Sequence, residues 1–409
     1  MTDATSAAAS LRRRSLDAVL AHAWDAEAFT ASDVMAAVAL TRSTTIDVLD
    51  ELVSRGLLAE MPNARSVGEY SKGRPARRFA LRAEAGLVVG VDAGRGHITA
   101  TAADLRGRPV ATSRLAIDPE RDSPDRRRRA AEKVVEATLT RARAPRDALI
   151  GLCVGVPAPV DREGRSPVHH DGFWHRMNPD FVDTFAPWAP VVRVENDASL
   201  AAIAERTQGA AIGYDDFVAL LAGERFGAGL WIDGRLLRGA HGGAGETVAF
   251  DRVEGVGSAF GLAPRIVEAA RAAIAAGTVP AGSALVDATP ASLDAKTVLD
   301  HAHAGDPGAL AVASEVGEQL AIVAGVFGSL FDARRLVICG AIAAGADPII
   351  SAARAALPTA LHLPPPEIVA SPLGADIVSV GAVAAAVDAV RARAIDLEAF
   401  SPADDRARA

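Results

Sequence analysis

Apolar positions near the N-terminus recur every three or four residues, which is the period of an amphipathic helix. The first apolar stripe lies within residues 11–23 and is formed by Leu11, Leu16, Val19, Leu20 and Ala23. A second helix is predicted after Thr30, because Thr30 and Asp33 have the spacing of a capping box. The chain is therefore predicted to begin with at least two helices.

A third helix is predicted within residues 41–58, with Thr41 as its N-cap and Gly56 at its C-terminal end. Its expected apolar face consists of Ile46, Leu49, Leu52 and Val53. Two short helices in close succession, the second with a polar start, are typical of a helix-turn-helix. The second of these helices would present its first polar residues to a DNA major groove: Arg42, Ser43, Thr44, Thr45 and Asp47.

The pattern changes from helical to extended after residue 56. LLAEM and RRFAL indicate two strands that flank the segment NARSVGEYSKGRPA. Basic side chains cluster here, against only Glu69: Lys72, Arg74, Arg77 and Arg78. Cationic side chains on a loop with Gly and Pro suit contacts with phosphates or a minor groove. Residues 1–82 are therefore predicted to be a winged helix-turn-helix domain that binds DNA; the alternative is a helical protein-interaction module with solvated charges.

The remainder alternates apolar strands with glycine turns. GLVVGVDAGRGHITATAADLRG (86–107) and FVALLAGERFGAGLWIDGRL (217–236) share a strand–glycine–strand plan, and the second ends in an Asp233-Gly234 hairpin turn. Two matching halves predict a duplicated α/β architecture with a cleft between two lobes. Two further strands, in 149–161 and 191–205, end in polar residues that should face the cleft: Asp161, Glu195, Asn196 and Asp197.

Composition and charge narrow the class of protein. The most apolar long segment, residues 310–330, is interrupted by Glu315 and Glu318, so no membrane span is expected. The polar, basic N-terminus lacks the apolar stretch of a signal peptide, and Cys153 and Cys339 lie far apart in apolar strands. Residues 1–85 hold eleven basic and eleven acidic side chains, so the remainder carries the whole net charge of −8. We expect a cytoplasmic protein with a DNA-binding head on an acidic body.

Four motifs in a fixed order carry a resemblance to a known family: GRPARRFALRAEAGLVVGVDAG, VGVPAPVD, ENDA and GGAGE. From about residue 11 to residue 394, the chain resembles the ROK family of repressors, open reading frames and sugar kinases, in its xylose-type and N-acetylglucosamine-type repressor branch. The resemblance implies an actin-like, two-lobed α/β domain over residues 83–397, with a sugar in a cleft near residues 197–246. It also implies a homodimer or homotetramer on operator DNA. Residues 398–409 are expected to be a disordered tail.

The two phosphate-binding turns of the family's kinases depart from their pattern in this chain. Asp-x-Gly-Gly-Thr is replaced by Asp92-Ala93-Gly94-Arg95-Gly96, which has lost the Thr. Gly-Thr-Gly is replaced by Gly223-Glu224-Arg225, in which Glu224 would repel a triphosphate and Arg225 would offset part of that repulsion. Plain hairpin turns are favoured over nucleotide binding, and the chain is predicted not to be an enzyme.

The resemblance also implies ligand residues in the cleft. Asp197 corresponds to the kinases' general base and is expected to contact ligand without phosphoryl transfer; the alternative is an N-cap of a helix starting at Ala198. Ser199 departs from the family's Asn. The predicted ligand residues are Asn196, Asp197, Gly245, Glu246 and His175. His175 belongs to the loop SPVHHDGFWHRMNPDF, which also contains His169 and His170.

The family's zinc motif is not matched after Glu246. Val248 and Ala249 stand where Gly and His belong, and a sugar-contacting Glu corresponds to about Phe260. FDRVEGVGSAFG (250–261) contains no cysteine, whereas a closed zinc site needs about four N or S ligands. No zinc and no other cofactor is therefore expected.

These predictions lead to a transcriptional regulator, with repression as the expected mode, whose degenerate kinase domain senses a sugar or sugar phosphate. Operator DNA and that effector are the expected partners. One alternative is an ATP-dependent sugar kinase with a DNA-binding head. Another is a regulator with an empty cleft that a protein partner controls.

Overall fold

The computed structural model describes residues 2–62, 76–287, 289, 293–357 and 363–401, with side chains from residue 9 onward. Its N-terminal part, the head, contains three helices and a three-stranded antiparallel sheet of order β1-β3-β2. The elements of the head are α1 (Thr2–Asp25), β1 (Phe29–Thr30), α2 (Ala31–Val38), α3 (Arg42–Ser54), β2 (Leu58–Met61) and β3 (Arg78–Leu81).

Local capping signals in the head are confirmed. The Thr30 and Asp33 side chains exchange hydrogen bonds with each other's backbone N–H at the start of α2. The Thr41 hydroxyl accepts from the Thr44 N–H at the start of α3, and Gly56 has a φ of +75° just past its end. The predicted helix-turn-helix therefore forms where its caps indicated.

The buried face of α3 differs from the predicted one. Ile46 is exposed and Val53 only half-buried, because the face that meets α1 and α2 is set one residue away on the helix. That face consists of Thr45, Val48, Leu49 and Leu52. Leu11 of the first predicted stripe is also exposed, whereas the rest of that stripe is buried.

Two lobes follow the head, and each contains a five-stranded sheet. The elements of lobe I are β4 (Leu87–Asp92), β5 (His97–Asp104), β6 (Pro109–Ala116), α4 (Pro124–Arg141), β7 (Leu149–Val156), α5 (Phe173–Met177), α6 (Phe181–Phe185) and β8 (Val191–Asn196). Helix α7 (Asp197–Gln208) then crosses to lobe II. The elements of lobe II are β9 (Phe217–Leu221), β10 (Gly227–Ile232), β11 (Arg235–Leu237), α8 (Leu262–Ala276), α9 (Ala295–His303), α10 (Pro307–Phe331), β12 (Arg335–Cys339), α11 (Asp347–Ala356) and β13 (Glu367–Ala370).

The two sheets share one topology. Their orders are β6-β5-β4-β7-β8 and β11-β10-β9-β12-β13, each with an antiparallel meander followed by two parallel strands. Asp233 and Gly234 both have positive φ in the β10–β11 turn, as the predicted hairpin requires. The duplicated α/β architecture is confirmed.

Helix α12 (Ile377–Arg391) lies between the lobes together with α7. It packs on β4 and β7 of lobe I, whereas α7 packs on β9 and β10 of lobe II. Helix α10 is long and apolar enough to cross a membrane, but more than half of its most apolar window is buried inside the protein, where it packs against α8, α9 and α11.

The head docks on lobe I and on the segment that follows α12. One continuous apolar core joins residues of the head to Val390, Ile395 and Phe400. Residues 398–400 form a short 3₁₀ turn in which Phe400 is buried, so placing the start of a disordered tail at residue 398 is wrong: the apolar side chain has a core to enter. Residues 402–409 of that prediction lie outside the described residues.

Candidate functional site

Three carboxylates from separate elements converge in the cleft between the lobes. Asp92 is the last residue of β4, Asp197 is the first residue of α7 directly after β8, and Glu246 follows β11. Burial and the nearby negative charges of Asp92 and Glu246 raise the pKa of Asp197 to about 7. Burial also raises the pKa of Glu246, although Arg225 acts in the opposite direction. At neutral pH the site can therefore both donate and accept hydrogen bonds.

The glycines before Glu246 are required by close backbone contacts. Gly242 has a φ of +71°, and a Cβ there would lie 1.8 Å from the Val160 oxygen of lobe I. Gly245 has a φ of +91°, and a Cβ there would lie 1.8 Å from the Ala228 oxygen. Since the Ala228 N–H also donates to the Gly245 oxygen, this segment is fixed to β10 and positions Glu246.

The alternative prediction, that Asp197 is the N-cap of α7, is wrong. Asn196, not Asp197, is the N-cap of α7: its Oδ1 accepts from the Ser199 N–H at 3.1 Å. The Nδ2 of Asn196 donates to the Ala158 oxygen at 3.1 Å. One oxygen of Asp197 accepts from the Ala198 N–H at 2.8 Å, which leaves its other oxygen for a ligand.

Two of the four polar strand ends are occupied by structural contacts. Asp161 closes a turn by accepting from the N–H groups of Glu163 and Arg165. Glu195 is buried and accepts from Arg238 at 2.8 and 3.0 Å. Asp161, Glu195 and Arg238 line a polar cavity of about 250 Å³ at the open edge of β8. Within the ENDA motif, Asn196 and Asp197 therefore remain the predicted ligand residues.

The two turns that correspond to the kinases' phosphate turns face each other across the cleft. Arg95 and Glu224 form an ion pair at 3.4 Å, and both side chains are largely exposed. Asp92 hydrogen-bonds His97 at 2.9 Å behind the first turn. The mouth of the cleft is thus bridged by an ion pair between the two lobes.

A buried arginine fixes the first turn from behind. Arg127 of α4 is fully buried and forms an ion pair with Asp122 at 2.7 Å. It also donates to the carbonyl oxygens of Ala93, Gly94 and Arg95 at 2.9 to 3.4 Å. The turn is therefore held in one conformation by a side chain that no local sequence signal identified.

A second buried arginine organises the segment in which the family's zinc motif would fall. Arg265 of α8 donates to the carbonyl oxygens of Val256, Ser258 and Phe260 at 2.7 to 3.0 Å. Phe260 in turn forms a backbone bridge with Arg225, so Arg265 also supports the second turn. The guanidinium group of Arg265 thus holds these three carbonyl groups together.

Histidines close in sequence are grouped on an exposed loop. Ligand atoms of His169, His170 and Asp171 lie within 4.8 Å of one another. Asp171 already accepts from the Phe173 N–H and from His169, and three groups, two of them exposed, are fewer than a closed zinc site requires. His175 is exposed on α5, and no described hydrogen bond or ion pair joins it to Asp197 or Glu246. Its ligand role and the absence of a metal stay predictions.

The residues predicted to contact DNA fall into four groups. Arg42 and Ser43 are exposed at the start of α3, and Thr44 is half-buried. Thr45 is fully buried and donates to the Thr41 oxygen at 2.9 Å, so its predicted contact with a groove is wrong. Arg77 forms ion pairs with Asp50 and Glu60 within the head. Lys72 and Arg74 lie outside the described residues.

Comparisons of the sequence with curated proteins find relatives of two kinds. A xylose repressor from Bacillus subtilis (strain 168) is 25% identical over 208 residues, which are 51% of this chain and 52% of that protein. The bifunctional enzyme NanE/NanK of Brucella suis biovar 1 (strain 1330) is 33% identical over 198 residues, 46% of this chain and 34% of that enzyme. The chain thus matches about a third to a half of the length of these curated relatives.

Solved structures cover more of the chain. A ROK family transcriptional regulator described as a homologue of the E. coli MLC protein has a TM-score of 0.68 at 20% identity, covering 91% of this chain and 94% of its own. A ROK family glucokinase from Streptomyces griseus, in complex with glucose and AMPPNP, has a TM-score of 0.57 at 24% identity, covering 74% and 100%. The fold is therefore shared with the regulator over 91% of this chain and with the glucokinase over 74% of it. The ROK family model matches residues 88–389, and the chain belongs to the ROK family.

Proposed function

We propose that this protein is a transcriptional repressor whose head binds operator DNA and whose cleft senses a sugar or sugar derivative. The observation that carries the proposal is the combination of two features in one chain. A helix-turn-helix head with an exposed α3 start is docked on a body whose cleft keeps Asp197 and Glu246.

The cleft suits a hydroxylated ligand. The free oxygen of Asp197 and the carboxyl group of Glu246 accept hydrogen bonds from hydroxyl groups, and a protonated Asp197 donates one. The remaining N–H of the Asn196 amide adds a donor beside them. Because a ligand that binds one lobe arrangement more tightly shifts the equilibrium toward it, this site can control the head.

A sugar kinase is the competing function, and relatives of both kinds occur in the family. The ion pair of Arg95 and Glu224 argues against it, because Glu224 places a carboxylate where the phosphates of a nucleotide would bind. Incubation with ATP, magnesium and a hexose panel tests the point. Sustained phosphorylation of any hexose would refute the assignment as a repressor.

The ligand is tested by a thermal-shift screen with D-xylose, D-glucose, N-acetyl-D-mannosamine and their phosphates. We expect a stabilising sugar for the native chain and a loss of that stabilisation in Glu246→Gln. Glu163→Gln, an exposed carboxylate on the outer turn, is the matched control. If no sugar stabilises the native chain, a regulator with an empty cleft that a protein partner controls replaces this proposal.

DNA binding is tested by selecting operator sequences from a random duplex pool with the full chain. Arg42→Ala should weaken binding to the selected duplex and reduce its salt dependence, whereas Arg129→Ala, on an exposed face of lobe I, should not. Unchanged binding by Arg42→Ala would contradict the assignment of α3 to the groove. The proposed assembly on DNA is a homodimer or homotetramer in the cytoplasm.

A further inference from the structure

The start of α3 points away from the rest of the protein. At the other end of this helix, Arg55 donates to the Ile395 and Phe400 oxygens of the segment after α12. With a rise of about 1.5 Å per residue, Arg42 lies about 20 Å along the helix axis from Arg55. The described hydrogen bonds of residues 41–47 all stay within the head. The first two turns of α3 are therefore open to a large partner.

The hydroxyl groups of these turns are already engaged in the helix cap. Thr41 Oγ1 lies 3.2 Å from Ser43 Oγ and 2.9 Å from Thr44 Oγ1. Thr45 is buried and donates to the Thr41 oxygen. The exposed side chains that remain in residues 42–47 are a cation, a branched apolar group and a carboxylate: Arg42, Ile46 and Asp47.

Ile46 is exposed because of the way α3 packs. The buried face of the helix includes Thr45 in place of Ile46, which leaves Ile46 37% exposed. It lies one helical turn after Arg42 and beside Asp47, and no apolar neighbour is required there by the fold of the head. In a DNA major groove, the apolar group that base edges present is the C5-methyl of thymine. The exposed Ile46 side chain has the chemistry to contact that methyl group.

Asp47 differs from the other acidic residues of α3. Asp50 forms an ion pair with Arg77 at 2.8 Å, and Glu51 forms one with Arg55 at 2.9 Å. Within the part of the chain that the structure describes, the Asp47 carboxylate has no such partner, and only its backbone oxygen accepts a hydrogen bond. An unpaired carboxylate close to DNA phosphates weakens binding. Its presence on this face calls for a hydrogen-bond donor in the groove.

The base edges offer one donor that suits a carboxylate best. Cytosine presents its N4 amino group in the major groove, whereas adenine places the acceptor N7 beside its N6 amino group. Guanine presents acceptors, which repel a carboxylate and suit Arg42 instead. The three exposed side chains thus match three different bases.

We propose that Ile46 and Asp47 determine the base specificity of the head: Ile46 contacts a thymine methyl group, and Asp47 accepts from the N4 amino group of a cytosine. The Cα atoms of neighbouring residues are about 3.8 Å apart and successive bases about 3.4 Å, so the two side chains reach base pairs at most two apart. This inference rests on the proposed binding of operator DNA by the head. It adds which bases of the operator are read, and by which groups.

The thymine contact is tested on the duplex that the full chain selects from a random pool. Each thymine is replaced in turn by deoxyuridine, which lacks only the methyl group. At one thymine of each recognised half-site, the native chain should lose about fourfold in affinity, as expected for one apolar carbon removed from the contact. In Ile46→Ala the same replacement should change the affinity by less than about 1.5-fold. Ile46→Val, which keeps a branched apolar side chain, is the matched control and should retain a loss of at least about twofold.

The cytosine contact is tested on the same duplex. A cytosine should lie within two base pairs of the sensitive thymine, and exchange of its C·G pair for G·C should weaken native binding at least about fivefold. In Asp47→Asn that loss should fall below about twofold, while binding to a duplex of unrelated sequence strengthens because a negative charge near the phosphates is gone. Asp50→Asn is the matched control: its carboxylate is paired with Arg77, so the base preference should be retained.

Each outcome decides a separate point. Tolerance of deoxyuridine at every thymine by the native chain, or a full fourfold loss in Ile46→Ala, overturns the thymine contact. An unchanged preference for the C·G pair in Asp47→Asn overturns the cytosine contact. If a duplex is selected and neither contact holds, DNA binding stands and this inference alone fails. If the selection enriches no duplex, the proposed DNA binding fails and the inference with it.

Discussion

The buried arginine behind the first cleft turn provides a sharp test of the structure. Replacement of Arg127 by Met keeps the aliphatic part of the side chain and removes the guanidinium group. Asp122, whose side chain is only 2% exposed, would then lose its partner at 2.7 Å. The carbonyl oxygens of Ala93 and Gly94 would lose donors at 2.9 and 3.0 Å.

The expected cost follows from that geometry. Removal of one partner from a buried ion pair destabilises a protein by about 3–5 kcal/mol, because the remaining charge stays buried without compensation. We therefore expect the free energy of unfolding of Arg127→Met to fall by about 3–5 kcal/mol. The double variant Arg127→Met with Asp122→Leu should recover part of this loss, since both charges are then absent.

Urea denaturation at 25 °C, followed by circular dichroism, measures the change. Arg129→Met is the matched control, because Arg129 is exposed on the same helix, and its change should stay within about 0.5 kcal/mol. A loss below about 1 kcal/mol for Arg127→Met, or a double variant that is less stable than the single one, would refute the reasoning. Native-state hydrogen exchange should also show faster exchange in residues 93–96.

Three further outcomes can be checked on the same protein. The pKa of Asp197 is raised to about 7 in the folded state, so the folded protein holds a proton that the unfolded chain releases near pH 4. The contribution of this group to the free energy of unfolding therefore falls as the pH rises from about 4 to about 7. Asp197→Asn should accordingly be more stable than the native chain at pH 7.5 and lose that advantage at pH 5 in thermal melts, and an equal difference at both pH values would contradict the shift. Arg265→Met should lower the free energy of unfolding of lobe II by at least about 2 kcal/mol, because three carbonyl groups lose a charged donor. A zinc chelator, by contrast, should leave the melting temperature of the native chain unchanged. A melting temperature that changes with the chelator would mean that a metal contributes. Gly245→Ala should reduce the yield of soluble, folded protein, because its Cβ would lie 1.8 Å from a backbone oxygen at a position with positive φ. Gly257→Ala also has a positive φ but open space around it, and should lower the free energy of unfolding by only about 1 kcal/mol. Similar losses for both variants would show that the close contact is not the cause.

Much of the fold was predictable because its signals are local. Thr30, Thr41 and Gly56 mark helix ends through groups within four residues, and Asp233-Gly234 marks a hairpin in the same way. The repeated strand–glycine–strand plan predicted the two sheets. The apolar face of α3 was predicted one residue off, since only packing against α1 and α2 decides which edge of an amphipathic helix is buried.

The site was predictable only in part. Asp197 and Glu246 do come near each other, as the order of the motifs implied, and their charges interact. Glu195 was expected to face the cleft but accepts from Arg238. Thr45 was expected to face a DNA groove but is buried, and its hydroxyl donates to the Thr41 oxygen one helical turn earlier. Nothing in the sequence near Arg127 indicates that its carbonyl partners lie more than thirty residues away.

The sequence by itself determined the helices, the hairpins and the repeated lobe, because periodicity and caps act over a few neighbouring residues. Only the tertiary structure decided which charges are buried and with whom. Arg265 donates to carbonyl groups of residues 256–260, and the head rests on α12 through Asp25 and Arg391, 366 residues apart. Burial and pairing depend on such distant neighbours, and no local pattern records them.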